Sequence, residues 1–484
     1  MGSHVVEEPL QLRFKFSRLV PSDQQANSRT RLGVNALMGM GLWVLLWLGY
    51  NTDLDYLSAP GFPDNTADLI HGIRAFAPVL AAWIAGLVIV ARASRLLPWI
   101  SGPMGLMLLY AVVGLVSSSI FSPDPLTGLY YGVNYLAIVL VILAVALVYD
   151  PLTDIHNVLR LTWVVGIIIT IGLLVALPYL GGLVTVAESG PVHVRAYDSV
   201  STVAGMAGPR NTGFARYAGI SALVALAPML RKGSLFVRTL WGVLFGVSLY
   251  ALVIANGRTE TIAFVGGLLM IMLGERSKRT ANALIAIAGA ILLGLRGFYS
   301  TFYMYITRTG HLDFTMTGRV ETWQEGWSFI LRSPWVGWGF QADRLTVGEH
   351  MHNAFLHVLI QAGLIGGGAM LLSLAITWYY ILKYFIFRPP ADRLLVPQEI
   401  PAVFLFVMIS SFMESTFAYF SAAWLLSAPI VAYVVALHQH VQKVRAKAAW
   451  EKLWRWRLAQ SGLPVMATRQ RMEVVLPSTP ENKL

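Results

Sequence analysis

His352 stands where a polar, tryptophan-rich stretch gives way to a long apolar run. An imidazole is the side chain best suited to take a proton near neutral pH. Read as a helix, positions 352, 356, 359, 363 and 366 share one face, reading His, Leu, Leu, Gly, Gly. Gly363 and Gly366 on that face let a neighbouring helix approach closely, which would hold the His rigidly. A helix N-terminus also disfavours imidazolium, which suits a proton acceptor. The simpler alternative is a His at a membrane interface with its ring against apolar neighbours. His357 falls off that face and is expected to be a bystander.

Arginines supply the second kind of chemistry. Arg258 follows Asn256-Gly257 at the start of an apolar run. There it works against the helix dipole, so it must find an anion, with lipid phosphate as the alternative partner. Arg319 precedes Trp323 by one turn, and its alternative partners are Glu321, Glu325 or lipid headgroups. Arg210 and Arg216 flank the polar stretch PRNTGFARY ahead of another apolar run. Asn211, Thr212 and Arg216 are costly in lipid and suggest a cavity wall. Guanidinium forks match phosphate oxygens two at a time, so converging arginines suit a diphosphate.

Metal chemistry has weaker signals. Asp53-Leu54-Asp55 is a pattern that can hold a divalent cation, but Asp64 and Asp68 lie nearby and a solvated acidic loop is the favoured reading. His350 and His352 are possible metal ligands, yet no third ligand stands at a suitable spacing, so no metal and no cofactor are expected.

The elements that must position these residues belong to a membrane. Hydrophobic residues make up 56% of the chain and charged ones 13%, more apolar surface than a soluble fold can hide. The absence of cysteine excludes disulfides and thiolate metal sites. About twelve runs are long enough to cross a bilayer: near 32–50, 75–91, 98–121, 129–149, 161–180, 214–230, 235–256, 259–275, 280–298, 353–387, 400–421 and 423–438. If the N-terminus is cytoplasmic, most of the 36 Lys and Arg fall on the inner side, and those left outside are all Arg. The net charge of +11 then reflects topology and anionic lipid, not nucleic acid. The fold class is an all-α polytopic membrane protein. Its expected organisation is an inner segment 1–31, spans within 32–298, a large outer loop 299–351, spans within 352–438 and a basic inner tail 439–484.

Inside the large loop, Val320, Trp323, Trp327, Ile330 and Leu331 recur at helical spacing, which predicts an amphipathic helix ended by Ser333-Pro334. Trp335, Trp338 and Phe340, spaced by Gly337 and Gly339, follow as an aromatic turn. Trp335 and Trp338 are placed either to stack on sugars or to seat the loop at the interface. The tail's Trp450, Trp454 and Trp456 among basic residues predict a separate interfacial helix. The residues from Gly462 onward are expected to be disordered.

Taken together, four motifs resemble the bacterial O-antigen ligase and polymerase superfamily. They are His352-Asn353 with Gly363 and Gly366, Arg319 and Trp323 with Gly337-Trp338-Gly339, Asn256-Gly257-Arg258-Thr259, and Asn211 to Ala215. Two departures stand out: Thr259-Glu260 after Arg258, where small residues are commoner, and no proline within Asn211-Thr212-Gly213. The resemblance implies the membrane glycosyltransferase (GT-C-like) architecture, with the amphipathic helix over a periplasmic cavity. It implies a metal-independent ligase of the inner membrane, moving a glycan from undecaprenyl diphosphate to lipid A–core oligosaccharide. On that reading His352 is the general base, and Arg258 and Arg319 stabilise the leaving diphosphate. Arg210, Arg216, Asn211, Asn353, Trp335 and Trp338 line the substrates. A polymerase or a protein O-oligosaccharyltransferase with the same donor is the near alternative. A flippase or transporter is the distant one, disfavoured because ionisable residues cluster at the outer face.

Overall fold

The computed structural model of the chain describes residues 24–50, 66–147, 151–177, 211–231, 234–255, 257–274, 319–348, 350–387 and 396–461. The described residues are helical, without strands. The helices are α1 (Gln24–Gly49), α2 (Thr66–Ala91), α3 (Pro103–Phe121), α4 (Pro125–Ala146), α5 (Pro151–Ala176) and α6 (Asn211–Leu230). They continue with α7 (Leu235–Ala255), α8 (Arg258–Gly274), α9 (Arg319–Arg332), α10 (Ala354–Ile381), α11 (Glu399–Ser410) and α12 (Ala422–Ser461). Eight of these are long and apolar enough to cross a membrane, by length and composition. Shorter apolar helices cover Leu37–Gly49 and Glu399–Ser410. The protein is thus an all-α polytopic membrane protein. The span expected near 280–298, Asp53, Asp55, and the end of the tail lie outside the described residues.

Helix starts follow local chemistry. Proline takes the first helical position of α3, α4 and α5, where a missing N–H costs nothing. Asp124 caps α4, accepting from the Thr127 N–H at 3.2 Å and the Thr127 hydroxyl at 2.6 Å. Leu235, Phe236, Val243 and Val253 of α7 are exposed, as a lipid-facing helix requires. α4, α6 and the first half of α12 carry the enclosed core.

The turn from Pro334 to Phe340 is inserted into α10, and glycines make the insertion possible. Gly363 sits inside α10 at φ 59°, ψ −161°, a conformation essentially reserved for glycine. There the helix exchanges partners. Leu364 N–H donates to Pro334 O (2.7 Å) and Ile365 N–H to Trp335 O (3.0 Å), instead of to the carbonyls four residues back. The carbonyls of Ile360 and Gln361, freed by the break, accept from the Trp338 and Gly339 N–H groups, each at 2.8 Å. Every group that loses a partner gains another, as burial demands. A Cβ on Gly363 would lie 2.3 Å from the Trp335 carbonyl carbon. Phe340 completes the anchor, packed against Gly114 and Gly132 with its N–H donated to Ser118 Oγ at 2.8 Å.

Three expectations change. The face counted from His352 through Gly363 to Gly366 does not run continuously, because α10 breaks at Gly363. What meets Gly363 is the Trp335–Val336 backbone, whereas Gly366 does touch a neighbouring helix, at Val113 of α3. The span expected at 400–421 ends at Ser410, and a non-helical turn follows until α12 begins. The tail's tryptophans do not form a separate helix. α12 runs unbroken for 40 residues, with Trp450 and Trp454 stacked on its far end.

Gly363→Ala should therefore cost roughly 3 kcal/mol or more, from backbone strain plus a clash with main chain. Gly368→Ala, helical and with nothing near its would-be Cβ, should be neutral or slightly stabilising. Thermal denaturation of the two variants in detergent checks this; equal melting temperatures would refute the inserted-turn account.

Candidate active site

Four backbone breaks converge here: the start of α6, the start of α9, the loop before α10 and the turn after α11. The last of these is the hub. Ser411 O accepts the Ala354 N–H (2.9 Å), Phe412 O accepts Asn353 Nδ2 (3.2 Å), and Met413 O accepts Arg319 Nη1 (3.0 Å). Asn353 in turn caps α10, its Oδ1 accepting from the Leu356 N–H at 3.0 Å.

Glu414, next in the turn, is shared by three side chains. Its Oε2 lies 3.0 Å from Arg216 Nη2 and 3.7 Å from His352 Nδ1. Its Oε1 lies 3.8 Å from Arg319 Nη2. Burial pushes the Glu414 carboxyl up, but the Arg216 charge, with His352 and Arg319, outweighs it and brings the group down to about 2. Arg216 also meets Glu260 of α8, Nε to Oε1 at 3.3 Å. Glu260 is 1% exposed, so its charge depends on that partner.

His352 is held in a left-handed backbone conformation, φ 48°, which few side chains adopt and His tolerates better than most. Its neighbours clamp it. Trp323 Nε1 donates to Met351 O at 2.8 Å, and the Met351 N–H reaches Asp343 Oδ2 at 3.3 Å. The side chain is 38% exposed, so a substrate can reach the ring.

A second cluster supports the loop from behind. Asp343 is fully buried; it accepts from His350 Nδ1 at 2.8 Å, and its Oδ1 lies 3.1 Å from His357 Nε2. Burial opposes its charge, and His357 and His350 outweigh that and hold its carboxyl well below the usual range. Burial lowers His350 to about 4, so its ring is neutral at pH 7. The His350 and His352 rings meet edge to face, centroids 4.5 Å apart. Gln361 joins the cluster to the membrane core, 2.7 Å from His357 Nε2 and hydrogen-bonded to Tyr110.

The structure thus brings together Arg216, Arg319, His352 and Asn353. Arg258 is half-buried at the start of α8, two residues before Glu260. Arg210 lies outside the described residues, and Asn211 is described only as the first residue of α6. Trp335 is exposed. Trp338 is half-buried, with its indole N–H given to Phe329 O at 2.9 Å, so it seats the loop. His357 is not a bystander: it is 1% exposed and holds Asp343. Third ligands for the histidines do exist. Asp343, His350 and His357 form one trio able to hold a metal, and His350, His352 and Glu414 another, each with ligand atoms within 4.8 Å. Spacing along the chain hid both, because Glu414 is remote and Asp343 lies in a turn.

Glu414 and Glu260 escaped the reading of the sequence. A glutamate within the apolar run 400–421 is itself the signal, since such residues in lipid need a partner. Glu260, one of the two departures from the family pattern, supplies the counter-charge for Arg216.

Residues 243–371, from α7 into α10, match the family model described as O-antigen ligase. That stretch holds Arg258, Glu260, Arg319, Asp343 and His352, and excludes Arg216 and Glu414. The chain is also similar to the exopolysaccharide production protein ExoQ of Rhizobium meliloti (strain 1021). The two are 30% identical over 205 residues, 37% of this chain and 46% of that protein. The aligned part therefore takes in less than half of that relative's length. Fold and site define a polytopic membrane protein with a buried arginine–carboxylate cluster beside an accessible histidine. Within that class, the two matches show similarity to O-antigen ligases and to an exopolysaccharide production protein over part of the chain.

Removing Arg216 alone leaves two carboxylates without their main partner. Arg216→Met should destabilise the protein by about 3–5 kcal/mol. Adding Glu260→Gln should restore part of the loss, a non-additivity that a double-mutant cycle of melting temperatures detects. Simple additivity would refute the shared-guanidinium account.

Proposed function

We propose that this chain is a glycan ligase of the bacterial inner membrane. It takes an undecaprenyl-diphosphate-linked glycan as donor and lipid A–core oligosaccharide as acceptor. Both termini lie in the cytoplasm, and the site of α9, the His352 loop and Glu414 faces the periplasm. The observation that carries the reading is the convergence of Arg216, Arg319 and the accessible His352 on one point in an otherwise apolar protein.

His352 takes the proton from an acceptor hydroxyl. That oxygen attacks the anomeric carbon, and the bond from that carbon to the diphosphate oxygen breaks. Charge grows on the diphosphate as it leaves, and Arg319 and Arg258, with Arg216, stabilise it. The leaving group is a good one, so positioning and electrostatics suffice without a metal on the substrate.

Similarity to an exopolysaccharide production protein favours one second reading: the same donor chemistry with a growing glycan as acceptor. Purified protein given labelled donor and separate acceptors distinguishes the two. Transfer in detergent, without any gradient, excludes a transporter.

Transfer should persist in excess EDTA. His352→Ala should lower the rate about a hundred- to ten-thousandfold while donor binding stays near normal. Arg258→Ala and Arg319→Ala should each cost about a hundredfold, with only partial recovery by Lys, which lacks the bidentate fork. Wild-type turnover in a folded His352→Ala protein would end the base assignment.

A further inference from the structure

We propose that Glu414 stands in for the donor's diphosphate on the arginines, and that donor binding turns its carboxylate onto His352. This rests on the diphosphate-donor reading above. One carboxylate has three claimants, and it satisfies only one of them. It bonds Arg216 at 3.0 Å, while Arg319 at 3.8 Å and His352 Nδ1 at 3.7 Å lie beyond hydrogen-bond range. His352 Nδ1 is a buried atom without a hydrogen-bond partner. Such an atom is costly, and Glu414 is the carboxylate that lies nearest to supply its partner.

Charge explains why Glu414 must move. Arg216 faces Glu260 and Glu414, and Arg319 faces Glu414. A diphosphate brought to these arginines meets a carboxylate already in place, and like charges this close repel strongly. One carboxylate has to yield. Glu260 lies in the first turn of α8 and is 1% exposed. Glu414 sits in the non-helical turn after α11, where side-chain rotation does not disturb a helix. Both carboxylates are buried, and Glu414 is the one outside a helix.

The place it turns to is His352 Nδ1. A shift of less than 1 Å converts the 3.7 Å approach to His352 Nδ1 into a hydrogen bond. A carboxylate on Nδ1–H fixes the tautomer, leaves the lone pair on Nε2, and stabilises the imidazolium as the proton arrives. The base is then armed only when the donor holds the arginines. Glu414 acts through His352 and is a positioning residue.

The test uses the full chain in detergent, with inorganic pyrophosphate as the anion probe. Glu414→Gln should bind pyrophosphate on the order of tenfold more tightly than wild type, because a competing charge is gone. Its transfer rate should fall roughly ten- to a hundredfold, because the base loses its orienting partner. Glu414→Asp should keep the weaker binding. A merely structural Glu414 would lower affinity and rate together, and equal or weaker binding by a folded Glu414→Gln protein overturns the displacement. Unchanged turnover overturns the arming. A wild-type structure with pyrophosphate bound covers the case of a misfolded variant: Glu414 should lie within about 3.2 Å of His352 Nδ1. Finding it still on Arg216, or finding no pyrophosphate bound at all, also overturns the proposal. The binding and structural arms need no catalysis, so absence of transfer would count against the ligase reading and leave these arms to be read separately.

Discussion

A guanidinium buried in an apolar protein sets the terms for everything around it. Arg216 cannot shed its charge, so it must be matched within the membrane domain. Glu260 and Glu414 match it, and they come from elements far apart in the chain. That requirement ties α6 to α8 and to the turn after α11. The turn then distributes its carbonyls to Asn353, Ala354 and Arg319, so the helix that follows the histidine and the helix that carries the second arginine start from one place. This charge balance acts on segments that also pack directly, with Gly219 of α6 against Phe406 of α11 and Gly267 of α8 against Leu223 and Ala402.

The second constraint is hydrogen bonding where water is scarce. Breaking α10 at Gly363 would orphan two N–H groups and two carbonyls, and each finds a partner in the turn from Pro334 to Gly339. The turn is thus part of the helix bundle instead of a loop lying on it. Because α9 leads directly into that turn, the break also fixes α9 against the first turns of α10, and Trp323 can reach the carbonyl of Met351. The strained backbone of His352 persists because its neighbours are held on both sides.

These two constraints produce a site of opposite halves. One half is charged: the part-exposed Arg319 and His352 against the buried Glu414. The other is buried: Asp343 with His350 and His357, joined through Gln361 to Tyr110 in the membrane core. The edge-to-face contact of His350 and His352 is where the halves meet.

The sequence by itself determined the class of fold, the amphipathic helix at Arg319–Arg332, and His352 with the arginines as the residues worth attention. Those are local properties: hydropathy over a span, periodicity over three turns, and charged types in apolar surroundings. Tertiary structure alone decided the partners. Glu414 looked like part of a span because hydropathy cannot see a turn between two apolar runs. His357 looked idle because its value depends on Asp343, which sits in a different turn. Gly363 looked like a site of helix contact, yet it serves an inserted turn, because φ is not encoded in residue spacing. Pairing between charges distant in sequence follows from how the helices pack, and a single chain read in order carries no record of that packing.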